Sequence, residues 1–205
     1  MSHAPRVGVL ALQGDVREHL NALRSSGAIA SAVRSPEDLD TIDGLVLPGG
    51  ESTTMSILAE REGFFEPLRE FRRNGHPCFG SCAGLILLAD RLEGSRPDQQ
   101  GIGGLDVTAR RNAFGRQVDS FEADLPIPVL GDPPFRAVFI RAPWVDEAGP
   151  QVEVLARVDD RIVAVRQGHL LATAFHPELT DDHRMHDYFV QMVVDSHHGS
   201  VRDHR

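Results

Sequence analysis

Residues 7–12, Val-Gly-Val-Leu-Ala-Leu, are apolar almost without interruption. A strand with one face in water alternates apolar and polar residues, so a continuous run points to a strand covered on both faces. Val16, Leu20 and Leu23 then follow at helical spacing and stop before Gly27. The same alternation continues through the first ninety residues. Residues 28–33 and 44–47 read as strands, the second ending in Pro48-Gly49-Gly50. Residues 64–74 read as a helix, and 77–80 as a short strand feeding Cys82. Leu85-Ile86-Leu87-Leu88 is apolar all round and suits a buried helix.

The second half changes character. Residues 107–110, 121–125, 137–140, 152–156, 162–165 and 170–175 read as strands joined by short turns, with Gly168-His169 as a hairpin turn. A final helix over 182–196 places Met185, Phe189, Met192 and Val193 on one face. The expected fold is α/β: a largely parallel central sheet flanked by helices, with additional antiparallel strands. At 205 residues the chain is expected to form one domain, with frayed tails over residues 1–5 and from about 197 to 205.

Composition removes several classes of function. No apolar run approaches the ~18 residues of a membrane helix, and residues 1–6 lack the apolar segment of a signal peptide. A cytoplasmic protein without a membrane role is expected. Thirty acidic against 21 basic residues give a net charge of −9, and no basic run exceeds two residues, which disfavours nucleic acid. All 21 bases are Arg. Without Lys there is no Schiff base and no Walker A phosphate clamp. Catalysis would fall to Cys, His, Ser or carboxylates.

Gly80-Ser81-Cys82-Ala83-Gly84 has the form of a nucleophile elbow with Cys at its centre. Small neighbours are needed because the nucleophile sits on a strained strand-to-helix turn. The following helix start directs N–H groups and partial positive charge at the sulfur, favouring thiolate. The plain alternative is that Cys82 is a buried small hydrophobe. A nucleophilic Cys needs a base, and the base an orienting group. Phe175-His176-Pro177-Glu178 follows the last expected strand. Pro177 biases His176 toward an extended backbone, and residues two apart on an extended chain share a side, so Glu178 can reach one imidazole nitrogen. Alone, His-Pro-Glu is equally a solvated turn. Joined to the elbow at a strand's carboxyl end, where α/β sites form, the catalytic reading is the stronger.

Pro48-Gly49-Gly50-Glu51-Ser52-Thr53-Thr54 brings two glycines to a strand end, where backbone N–H groups can approach a substrate oxyanion. Ser52 is also a candidate helix cap. Gln13-Gly14-Asp15 closes the first strand on the same rim. Cys78 reads as core. His183, His186, His197, His198 and His204 show no compact zinc spacing, so no metal is expected. Gly101-Ile102-Gly103-Gly104 lacks the pattern of a dinucleotide loop, and Trp144 and Tyr188 read as packing residues.

Together the Cys elbow and His-Pro-Glu resemble the class I, triad-type glutamine amidotransferases. Four further segments narrow the likeness: Leu12-Gln13-Gly14, the Pro48–Thr54 segment, the Arg111–Glu122 segment Arg-Asn-Ala-Phe-Gly-Arg-Gln-Val-Asp-Ser-Phe-Glu, and Phe139-Ile140-Arg141-Ala142-Pro143. These resemble the glutaminase subunits of pyridoxal 5′-phosphate synthases, from about Val7 to about Val194. The resemblance implies hydrolysis of L-glutamine, with ammonia passed to a separate synthase subunit that builds the ring with its own lysines, and no cofactor on this chain. It implies Cys82, His176 and Glu178 as the triad, and Gly50, Glu51, Ser52, Arg111, Ile140 and Arg141 as glutamine-binding positions. Gly50 and Ala83 would form the oxyanion hole, and Gln13 the partner-facing rim. Ser81 departs mildly from the more familiar Thr before the nucleophile. Glutaminases of other synthases, such as imidazole-glycerol-phosphate synthase, a non-catalytic regulatory partner, and a stand-alone cysteine hydrolase are the competing readings. The Arg111–Glu122 segment and the intact triad speak against them.

Overall fold

A computed structural model describes residues 4–111 and 120–200; within the Arg111–Glu122 segment, residues 112–119 lie outside the described residues, as do 1–3 and 201–205. The first half runs β1 (Arg6–Leu10), α1 (Val16–Ser25), β2 (Ile29–Val33), a 3-10 turn (Pro36–Thr41), β3 (Gly44–Leu47), α2 (Ser52–Arg61), α3 (Phe65–Arg73), β4 (Cys78–Ser81) and α4 (Ala83–Leu88). The second half runs β5 (Ala89–Glu93), β6 (Leu105–Arg110), β7 (Ser120–Leu125), β8 (Phe135–Ile140), β9 (Trp144–Ala148), β10 (Glu153–Val158), β11 (Arg161–Gln167), β12 (Leu170–Thr173) and α5 (Arg184–Ser200).

One sheet runs in the order β2-β1-β3-β4-β12-β11-β9-β6-β5, with β10 added beside β11, while β7 and β8 form a separate hairpin. From β2 to β12 every neighbour is parallel. Beyond β12 the pairings with β11, β9 and β6 are antiparallel. The apolar runs explain the division. Every residue of β3, β4 and β12 is buried, because helices cover both faces of a parallel sheet. In β7 and β8 burial alternates, as in a ribbon with one face in water. The apolar face expected of α5 is the buried one: Met185, Phe189 and Val193 are fully enclosed.

Three differences from the sequence reading have physical causes. β5 and β9 were not foreseen, since Ala-Asp-Arg-Leu-Glu and Trp-Val-Asp-Glu-Ala carry charges and are largely exposed. They are strands because β6 pairs with both. β12 stops at Thr173 rather than at residue 175; Ala174 and His176 instead donate their N–H groups to Val163 and Val138. Toward the termini, Pro5 is buried and accepts the Ile29 N–H, and α5 continues to Ser200.

Candidate active site

Register sets the site. Leu47 of β3 pairs with Gly80 of β4, and Ser81 of β4 pairs with Thr173 of β12. The carboxyl ends of three neighbouring strands therefore stop together, and the three segments leaving them meet. Cys82 comes directly after β4 with φ 49° and ψ −100°, a left-handed backbone for a non-glycine residue. Such a conformation costs roughly 1–3 kcal/mol and persists only where its surroundings enforce it. The enforcement is visible. Cys82 donates its N–H to the Thr173 carbonyl at 2.8 Å. A side chain at Gly80 would run into the Gly84 backbone, and one at Gly84 into the Leu47 carbonyl. Both elbow glycines are thus required by close approach.

His176 lies just past β12 and is 4% exposed. Its Nδ1 is 2.7 Å from Glu178 Oε1 and 3.3 Å from Asp15 Oδ2. The expected His176–Glu178 contact forms, but not on an extended chain: Pro177–Leu179 is a 3-10 turn that folds the carboxylate back. Burial pushes His176 toward the neutral form. Hydrogen bonds to Asp15, Cys82 and Glu178 outweigh it and raise its pKa to about 12. The hydrogen bond to His176 holds the Asp15 carboxyl below its ordinary value, whereas burial pushes Glu178 up. The sequence placed Asp15 on the rim without a role. Its signal was position, directly after Gly14 in the loop that leads from β1 to α1.

The Gly-Gly segment after β3 lies against this imidazole, for a side chain at Gly49 would collide with His176. Gln13 Oε1 accepts the Glu51 N–H at 2.8 Å, tying the rim to the loop beside Gly50. Ser52 is not the cap of α2. Glu51 is, its carboxylate accepting the N–H groups of Thr53 and Thr54 while Ser52 opens the helix. Burial opposes the charge on Glu51, but those N–H groups and the Thr54 hydroxyl bring its pKa down to about 2. Arg111 reaches across to donate to Thr53 Oγ1 at 3.0 Å, Gln99 Oε1 at 3.1 Å and Glu51 Oε1 at 3.2 Å. Gln99 Nε2 in turn donates to Ser52 Oγ at 3.3 Å. Gln99 was missed, and no local pattern in its surroundings marks it.

From the other side the Ile140 carbonyl lies 3.9 Å from Cys82 Sγ. Ile140 and Arg141 are both exposed, and Arg141 has a left-handed φ of 44°. Ala83, first residue of α4, is buried beside the sulfur-bearing residue. Cys78 sits inside the sheet, where burial pushes its thiol up to about 12. Such a thiol is inert at neutral pH. Among the described residues Asp15, His176 and Glu178 form the only grouping close enough to share a metal ion. Their donor atoms face one another through the Nδ1 proton, which already occupies that space.

A mixed α/β sheet with a cysteine elbow after one parallel strand, and a carboxylate-backed histidine after the next, has the layout of a class I glutamine amidotransferase. Comparison with known proteins agrees. The profile of the SNO glutamine amidotransferase family matches residues 9–195. The chain belongs to that family. It is 63% identical over 198 residues to a protein of Acidothermus cellulolyticus named pyridoxal 5′-phosphate synthase subunit PdxT, covering 94% of this chain and 96% of that one. It is 61% identical over 199 residues to a protein of the same name from Kineococcus radiotolerans, covering 94% and 96%. A solved structure described as a crystal structure of glutamine amidotransferase superposes with a TM-score of 0.86 at 50% identity, covering 91% of this chain and 98% of that one.

Proposed function

We propose that this chain is the glutaminase subunit of a pyridoxal 5′-phosphate synthase. It hydrolyses L-glutamine to L-glutamate and ammonia, and hands the ammonia to a lysine-bearing subunit that forms the ring. The strongest support for the reading is the pairing of Cys82 and His176 at the ends of two adjoining strands, the imidazole backed by Glu178 at 2.7 Å and its pKa raised in part by Cys82. The names of its relatives supply the synthase. Its setting is the cytoplasm.

The arrangement sets the chemistry. The Cys82 thiolate attacks the side-chain carbonyl carbon of glutamine, and backbone N–H groups of Gly50 and Ala83 receive the developing oxyanion. Each such donor is worth about 10²–10³ in rate. His176, held as imidazolium, gives its proton to the amide nitrogen, which leaves as ammonia from a Cys82 thioester. The now neutral imidazole takes a proton from water, and the hydroxide releases glutamate and restores the sulfur. Glu178 and Asp15 stabilise the imidazolium between these transfers. Glu51, Ser52 and Arg111 bind the glutamine from one side, Ile140 and Arg141 from the other.

Supplying glutamine labelled with ¹⁵N in its amide to the chain and its co-expressed synthase tests the reading. Label is expected in the ring nitrogen of the coenzyme. Unlabelled coenzyme alongside normal glutamate release would reject the synthase assignment while leaving glutamine hydrolysis standing.

A further inference from the structure

Behind the triad lies a buried polar chain that the proposed mechanism does not use. Glu178 gives Oε1 to His176, but its other oxygen, Oε2, is fully enclosed and makes no hydrogen bond of good geometry. The nitrogen facing it is His19 Nε2 of α1, 3.4 Å away, with both side chains completely buried. The same His19 Nε2 is 3.0 Å from Ser81 Oγ, directly before the nucleophile. His19 Nδ1 is 2.9 Å from His186 Nε2 on α5. His186 is also fully buried, and its Nδ1 has no partner.

Those partners decide where the protons sit. A neutral imidazole carries one N–H, and leaving a buried N–H unpaired is costly. If His19 donated from Nδ1 to His186, the His186 proton would sit on Nδ1, buried with nothing to accept it. The reverse arrangement leaves only a lone pair unpaired there. His186 therefore donates from Nε2 to His19 Nδ1, and His19 carries its own proton on Nε2. That proton is donated to Ser81 Oγ, and Glu178 Oε2 lies 3.4 Å from the same nitrogen, beside the N–H rather than in line with it. Burial pushes both imidazoles well toward the neutral form, in keeping with this arrangement.

We infer that His19, seated by His186, is a positioning residue for the triad: its Nε2–H pins Ser81 and places its positive end 3.4 Å from the Glu178 oxygen that His176 leaves free. A carboxylate anchored at one oxygen offers the other in a fixed direction, and the base behind Cys82 is then aimed rather than merely charged. His19 also ties Ser81, and so the elbow, to the same carboxylate. This inference rests on the proposed role of Cys82, His176 and Glu178.

The test is glutamate release by the full chain with its synthase present, comparing His19→Leu, His19→Gln and Cys82→Ala. Gln can keep an N–H donor near the Nε2 position, whereas Leu cannot. His19→Leu is expected to lower kcat about 10- to 100-fold, as loss of an outer partner does for metal-bound histidines, with KM for glutamine unchanged because His19 lies behind the site. His19→Gln should recover most of the loss. A folded His19→Leu with kcat within twofold of wild type would overturn the inference. So would a His19→Gln no better than Leu, or a loss confined to KM. If His19→Leu does not fold, His186→Leu carries the test: it frees the His19 tautomer and should lower kcat several-fold, with recovery in His186→Gln. No loss in a folded His186→Leu would then overturn it. Activity persisting in Cys82→Ala would instead reject the underlying triad, whatever the His19 variants do.

Discussion

The parallel and antiparallel halves of the sheet contribute different things to the site. In the parallel half, β3, β4 and β12 are short and buried on both faces. Cys82 and His176 sit one and three residues past two of them. Beyond β12 the strands β5 and β9 are largely exposed, as is one face of the separate β7–β8 hairpin, and the residues that approach the site there are Arg111, just past β6, and Ile140, at the end of β8. Rigid, doubly covered strands fix the groups that must meet within hydrogen-bond distance. Half-exposed strands and their loops bring the groups that select a substrate. If this division is right, damage in the first half should appear in kcat, and damage in the second chiefly in KM.

The sharpest contrast lies within β4 and its turn. Cys82→Ala should abolish glutamate release, a loss of at least about 10⁴-fold, while circular dichroism and partner binding stay unchanged. Cys78→Ala, four residues earlier, should cost about 1–2 kcal/mol of stability for a small core truncation and almost no rate. Similar rates in the two variants would break the assignment of the nucleophile.

Next comes the pair after β12. His176→Asn should approach the Cys82 variant, whereas Glu178→Gln should retain roughly 10- to 100-fold more activity, because the base moves protons and the carboxylate only orients it. Single-turnover assays of thioester formation would read this. A Glu178 variant worse than the His176 variant would reverse the roles.

Smaller effects separate the two halves. Arg111→Ala should raise KM for glutamine about 10-fold through the Glu51–Thr53–Gln99 cluster it braces, with a modest change in kcat. Gln13→Ala, on the parallel side, should leave KM alone and lower kcat severalfold, because Gln13 holds the Glu51 N–H beside Gly50. Steady-state kinetics with and without synthase would distinguish them. A KM effect from Gln13 and a kcat effect from Arg111 would dissolve the comparison.

The smallest effect is on stability against pH. The folded pKa of His186 is depressed to about 3 by burial, and burial also lowers His19. Their contribution is therefore complete above the ordinary imidazole value of 6.5 and is lost as pH falls from there toward 3. Each proton excluded steepens the loss by about 1.4 kcal/mol per pH unit. His176, whose pKa is raised, acts in the opposite window, losing its contribution as pH climbs from 6.5 toward 12. Urea midpoints at pH 7 and pH 5 should lie closer together in His186→Leu than in wild type.

Much of the parallel half was legible because its signals are local. The apolar runs, the paired glycines around Cys82 and the His-Pro-Glu order each occupy a few consecutive residues, and backbone sterics and the strand period act at that range. Even there the physical reason differed in detail: a 3-10 turn, not an extended chain, brings Glu178 to His176. The strands β5 and β9 were illegible because their own residues are charged and exposed. Only pairing with β6 makes them strands.

The sequence alone determined the α/β alternation, the cysteine elbow, and the exclusion of lysine chemistry, since each depends on residue type or on spacing within one element. Only the tertiary structure decided that Asp15 stands beside His176, that Gln99 braces Arg111, and that His19 and His186 meet behind Glu178. His19 and His186 are 167 residues apart in the chain. Contacts of that kind arise from how helices pack across a sheet, and packing is a property of the whole chain that no short stretch of residues carries.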